Sequence, residues 1–163
     1  MWEPAYVSSG FEEGVVEGLR AAVQALPPGT AILEVGKPPG ADKALFPSFM
    51  ISPANPQSAR IQGAIIGGQG IDLLVGRGSA AELWTGEDRK RETTVCKQFL
   101  TICHVVFTTH FSEVIRRDNR GRVLYSRLTL QINGSEFVLG TNVIFSRLFS
   151  KTQEERYEYQ PYY

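Results

Sequence analysis

The sequence is short of the residues that catalysis and metal binding most often use. It holds two cysteines, Cys96 and Cys103, and two histidines, His104 and His110. A structural zinc site takes four ligands in short paired spacings, and these four residues do not supply them. Cys103 and His104 are adjacent, while Cys96 and Cys103 share one apolar arc of a helix. Cys103 and His110 are too far apart for direct hydrogen bonding within one helix. The two cysteines are separated by about 10 Å of helical rise, beyond the reach of a disulfide, and two free thiols suit a reducing compartment. No metal, no cofactor and no catalytic residue is expected.

Net charge is also missing. Seventeen basic residues balance seventeen acidic ones, so no global field steers the chain toward nucleic acid or anionic lipid. The longest greasy run, Phe99 to Phe107, is interrupted by Thr101 and His104 and falls well short of the roughly 20 residues a membrane helix needs. The opening MWEPAYVSSG lacks the basic and apolar regions of a secretory leader. The expectation is a cytoplasmic protein with no membrane partner.

The one string with the look of a cofactor signature is Gly76-Arg77-Gly78-Ser79-Ala80-Ala81, which fits G-x-G-x-x-A after a strand-like run. A dinucleotide loop needs a helix behind it and an acid at the end of a second parallel strand. Here Thr85-Gly86 cuts the following segment short. The glycines read instead as hairpin punctuation, placing Arg77 at a turn tip. A second glycine-rich string, Gly36 to Lys43, lacks the G-K-[ST] ending, and its prolines remove amide donors.

What is present suits one globular domain. The chain has 163 residues, 42% of them apolar and 21% charged, enough to bury a core. Phe11, Val15, Leu19, Ala22, Val23 and Leu26 recur at helical spacing over residues 9–26. Ser9 and Glu12 form a capping box, and Pro27-Pro28-Gly29 ends the helix. Residues 30–35 read as a strand. Residues 36–57, with Pro38, Pro39, Pro47, Pro53 and Pro56, read as a long extended loop anchored by Phe46, Phe49, Met50 and Ile51. A meander follows, with strands over 60–66, 71–75 and 80–84. Val95, Phe99, Ile102, Cys103, Val106 and Phe107 gather on one arc of a second helix, about residues 93–109. Residues 111–116 and 123–132 read as strands, with a phase slip near Ser126 that suggests a bulge. Asn133-Gly134 is a strong hairpin turn, leading to a return strand over 136–139 and a further apolar segment over 142–149. Strands joined by tight turns are antiparallel. The expected fold is α+β: two amphipathic helices packed on one face of a mainly antiparallel sheet with several hairpins. A single domain spans 1–150, and a polar, tyrosine-rich C-terminal tail spans 151–163.

Three functional readings survive. The first, reached by elimination, is a small non-enzymatic protein that binds another macromolecule, most naturally a protein, as an immunity or adaptor protein does. Its candidate contacts are Arg77 and the tail tyrosines Tyr157, Tyr159, Tyr162 and Tyr163, because tyrosine offers a large contact area with a polar tip. The second is nucleic-acid binding through the basic hairpin 116–122, with Arg116, Arg117, Arg120 and Arg122. Interleaved acids, Glu113 and Asp118 among them, dilute that field. The third is a metal-dependent hydrolase that holds a divalent ion through Glu34, Asp72 and Glu82. Oligomeric state is left open.

Overall fold

The computed structural model describes residues 2–3, 10–38, 46–67, 69–86, 90–142 and 152–163. Two helices and nine strands follow one another along them. Helix α1 (Gly10–Gln24) leads into β1 (Ala31–Gly36), β2 (Ser48–Pro53), β3 (Ile61–Ile66), β4 (Gly70–Val75) and β5 (Ser79–Trp84). Helix α2 (Lys90–Thr108) then precedes β6 (Phe111–Arg117), β7 (Val123–Ile132), β8 (Ser135–Asn142) and β9 (Gln153–Tyr159). The protein has an α+β fold with antiparallel pairing throughout, and its strands divide into two sheets. One is a meander, β1-β2-β3-β4-β5; the other has the order β8-β7-β6-β9. Among the described residues no helix is long and apolar enough to cross a membrane.

The sequence expectations fare differently by element. Both helices form where the apolar period places them, because that period sets a continuous stripe against the core. Phe11, Val15 and Leu19 of α1 and Phe99, Ile102, Cys103 and Val106 of α2 are buried. The helices pack closely: a methyl group added at Gly18 would meet Leu100 at 2.7 Å. The proline-rich loop is a correction. Its second half holds β2, which pairs with both β1 and β3. Phe49 and Ile51 alternate inward there, and Pro47 and Pro53 stand at its ends, where a missing amide is tolerated. The expected bulge lies at Leu124, which has no partner because Arg116 pairs with Tyr125 and Arg117 with Val123. Asn133 and Gly134 both adopt positive φ, 51° and 79°, as a tight hairpin demands. The segment set apart as a tail supplies β9, paired with β6 from Phe111↔Tyr159 to Arg117↔Gln153. Ser9 of the capping box and nearly all of the apolar segment 142–149 lie outside the described residues.

One core joins the parts. Inward residues of β2 to β5 share one buried cluster with those of α1 and α2 and with Leu128 and Leu130 of β7; α1 lies against β1, and α2 against β5 and β7. Phe49 and Phe99 touch with ring centroids 5.3 Å apart. The helices therefore cover the inner face of the five-stranded sheet and leave its outer face uncovered by described elements.

Candidate functional site

Two assemblies draw on the residues singled out in the sequence. The first is the Gly76–Ser79 turn. It does bind an anion, and the anion belongs to the chain itself. The amides of Arg77 and Gly78 donate to Glu113 Oε2 (2.9 Å) and Oε1 (3.0 Å). Ser79 Oγ donates to Oε1 at 2.7 Å, and Tyr159 Oη donates to Oε2 at 2.7 Å. Glu113 is completely buried. Consecutive turn amides form an anion-binding concavity, and Gly76 is required in it. Its φ is +70°, and a methyl group there would lie 2.6 Å from Glu113 Oε2. Ser126 Oγ extends the network by donating to the Gly78 carbonyl (2.8 Å) and accepting the Thr141 amide (2.9 Å). Burial, together with the hydrogen bond to Glu113, holds the Tyr159 phenol far above its ordinary range. The site is thus a structural clasp between the two sheets, closed to an outside ligand.

The other tail and hairpin residues find partners too. Tyr162 is buried, donates to the Ala59 carbonyl at 2.6 Å and packs on Phe107 with centroids 4.7 Å apart. Tyr157 carries the Arg77 guanidinium on its ring at 4.4 Å and hydrogen-bonds Glu155. Tyr163 alone of the four is strongly exposed. Arg116 pairs with Glu154 (2.7 Å), Arg117 with Glu155 (3.4 Å) and Arg122 with Asp118 (2.7 Å). Arg120 stands in the turn, its amide donating to Asp118. Three of the four hairpin arginines are thus partly neutralised by carboxylates within the fold.

The second assembly is on the outer face of the five-stranded sheet. The register sets Glu34, Met50, Gln62, Leu74 and Ala80 in one row across all five strands. The neighbouring row holds Ser48, Ala64, Asp72 and Glu82. Apart from Glu34, these rows floor a hollow of about 720 Å³, with Trp2 and Pro38 among its other lining residues. Asp72 and Glu82 are direct cross-strand partners, whereas Glu34 is three strands from Asp72, roughly 14 Å at the usual strand spacing. The expected three-acid site is therefore not assembled, and among the described residues no three metal-ligating side chains converge.

Comparison with protein-family models, curated proteins and solved structures finds no match.

The hollow is thus read on its own chemistry. Its floor is apolar apart from Ser48, Gln62 and the two acids. Burial, and then the charge of Glu82, raise the Asp72 carboxyl above its ordinary value. Trp84, on the same face, is about half exposed and donates its indole N–H to Glu82 Oε2 at 2.9 Å. Ile32, at the β1 edge of that face, is two-thirds exposed. A second, more polar hollow of about 620 Å³ adjoins the first, sharing Gln62 and Leu74 and reaching Arg60 and Arg77. Sequence reading found Asp72 and Glu82 but missed the hollow, because Met50 was assigned to a loop. Once β2 is a strand, period two puts Met50 outward between Phe49 and Ile51.

Proposed function

We infer that the protein is a small non-enzymatic binding protein acting in the cytoplasm, and that its partner is another protein docked on the outer face of the five-stranded sheet. The observation that carries this reading is the apolar hollow between Ile32 and Trp84, which no described helix or strand covers. That face spans five strands, roughly 19 Å, and continues into the polar hollow beside it. A surface of this breadth, apolar at the centre and polar at the rim, has the anatomy of a protein interface, and large exposed apolar patches mark interaction sites. An immunity or adaptor protein would use a broad face of this kind to hold a single protein partner. The partner contacts originally expected from Tyr159 and Tyr162 move to the sheet face, because those two side chains serve the core. For nucleic-acid binding through residues 116–122, Arg120 is, among the described residues, the one hairpin arginine whose side chain has no carboxylate partner.

Photo-crosslinking tests the reading. A benzophenone residue is placed at Met50, at Leu74 and, as a control, at Val138 on β8, in the native cell. A single adduct of defined mass is expected from Met50 and Leu74 and not from Val138. Excess wild-type protein should suppress it, and a Leu74→Glu variant should not. No adduct, or the same ladder from all three positions, overturns the reading, and a nuclease-sensitive adduct replaces the protein partner with nucleic acid.

A further inference from the structure

The hollow holds two carboxylates over an apolar floor, and that combination selects a class of occupant. As direct register partners, Asp72 and Glu82 have Cβ atoms about 5 Å apart, and like charges so placed repel. Neither acid is in an ion pair among the described residues; the ion pairs there involve Glu154, Glu155 and Asp118. Glu82 Oε2 takes the Trp84 indole N–H, which leaves Glu82 Oε1 and the Asp72 oxygens to accept from an occupant. A divalent ion is a poor fit, because calcium takes six to eight oxygen ligands and among the described residues no third ligand side chain joins this pair.

We propose that the hollow receives a basic side chain of the partner, its cationic head bridging Asp72 and Glu82 and its methylene shaft lying on Met50, Ala64, Leu74 and Ala80. Lysine and arginine combine such a shaft and head. The fit has a physical logic: an occupant that neutralises one member of a repelling pair gains from both carboxylates, and its shaft gains from the floor. The proposal rests on the protein-binding reading for the source of the cation. The chemistry of the hollow is separable from that source.

The chain has two tryptophans. Trp2 lines the hollow and Trp84 is bonded to Glu82, so intrinsic fluorescence reports on the site. The purified protein is titrated at neutral pH with n-hexylamine and with n-hexanol. Saturable binding of the amine is expected, at least tenfold tighter than the alcohol, with the preference fading on acidification as the Asp72 carboxylate takes up a proton. In a Asp72→Asn, Glu82→Gln double variant the amine should bind no better than the alcohol. Equal binding of the two probes to the wild type, or a preference that survives in the double variant, overturns the proposal. Amine selectivity without any cross-linked partner assigns the hollow to a free amine and overturns the partner as its source. A cross-linked partner without amine selectivity keeps the protein-binding reading and removes the basic side chain.

Discussion

At Glu113 a carboxylate stands in the row of β6 that Phe111 and Ile115 otherwise make apolar, and donors from the β4–β5 turn, β5 and β9 close around it. An acid in such a place is tolerated only because its lone pairs are filled, since a buried polar group left unpaired costs about 1–3 kcal/mol and more when charged. The same arithmetic runs in reverse for the donors. Glu113→Ala strands two turn amides and the hydroxyls of Ser79 and Tyr159, and is expected to cost at least about 3 kcal/mol. Tyr159→Phe removes one bond to a charged acceptor and should cost about 1.5–3 kcal/mol. Urea unfolding of both variants measures this, and a Glu113→Ala loss no larger than that of Tyr159→Phe would dissolve the clasp into ordinary packing. The signal for Glu113 was present in the sequence, in the alternation Phe111, Glu113, Ile115, which places the acid in an apolar phase. It was obscured because Glu113 was counted among surface charges around the arginines. Its partners were beyond reach, since nothing local links residue 113 to the turn at 76–79 or to residue 159.

The elements differ in how locally they are specified, and that decides which were legible. Helices α1 and α2 and the meander β3 to β5 carry their own period and turn residues, so the sequence places them within a few positions. Strand β2 was hidden by prolines that sit at its ends, and β9 by its charge. Glu155, Tyr157 and Tyr159 alternate on one side of β9 with Glu154, Arg156 and Glu158 on the other, a charged pattern that guards an edge strand against pairing with other chains. The β6–β7 hairpin is organised by Asp118. It accepts the Arg120 and Arg122 amides, each at 2.9 Å, and the Arg122 guanidinium at 2.7 Å. Burial pushes its carboxyl up. The hydrogen bonds from Arg122 and Arg120 and the Arg122 charge outweigh that and hold it below its ordinary 3.8. A folded-state value below the unfolded one means that this acid stabilises the hairpin fully above about pH 4, and that the contribution drains away as pH falls through the folded value. Hydrogen exchange at Gly121 and Arg122 should therefore accelerate in the wild type between pH 4 and 2, relative to Asp118→Asn, in which the step is absent. Parallel pH profiles for the two proteins would remove Asp118 from the hairpin's stability. Asp72 has the opposite sign, because its raised value makes the apo protein more stable as the carboxyl protonates. One acid of this pair is spent on the fold, and the other is held at a cost that binding a cation would relieve.

For the molecule as a whole, the order of the chain matters more than any single element. The last residues return to close contacts made far earlier. Gln160 N–H bonds the Gln57 carbonyl, Tyr162 N–H bonds the Phe107 carbonyl, and the Ser58 hydroxyl bonds the Pro161 carbonyl. Together with Tyr159 on Glu113 and Tyr162 on Ala59, these contacts tie the β2–β3 loop, the end of α2 and both sheets to the C-terminal segment. Such long-range closure cannot be read from composition, and the polarity of residues 153–158 describes only their outward side. The consequence bears on how any binding experiment is read, because a truncation that abolishes binding would first abolish the fold. Deleting residues 157–163 removes two buried tyrosines, each worth about 3–5 kcal/mol by analogy with other buried aromatics. At roughly 2–4 °C per kcal/mol for a domain of this size, the melting temperature should fall by well over 10 °C, if the truncated chain folds at all. Tyr163 is 64% exposed, and Tyr163→Ala is expected to stay within about 0.5 kcal/mol of the wild type, as surface changes usually do. Scanning calorimetry of the two proteins separates the outcomes. A truncated chain that melts within a few degrees of the wild type would show that the two sheets hold together without their C-terminal tie. The tyrosines would then return to the surface as candidate contacts for a partner.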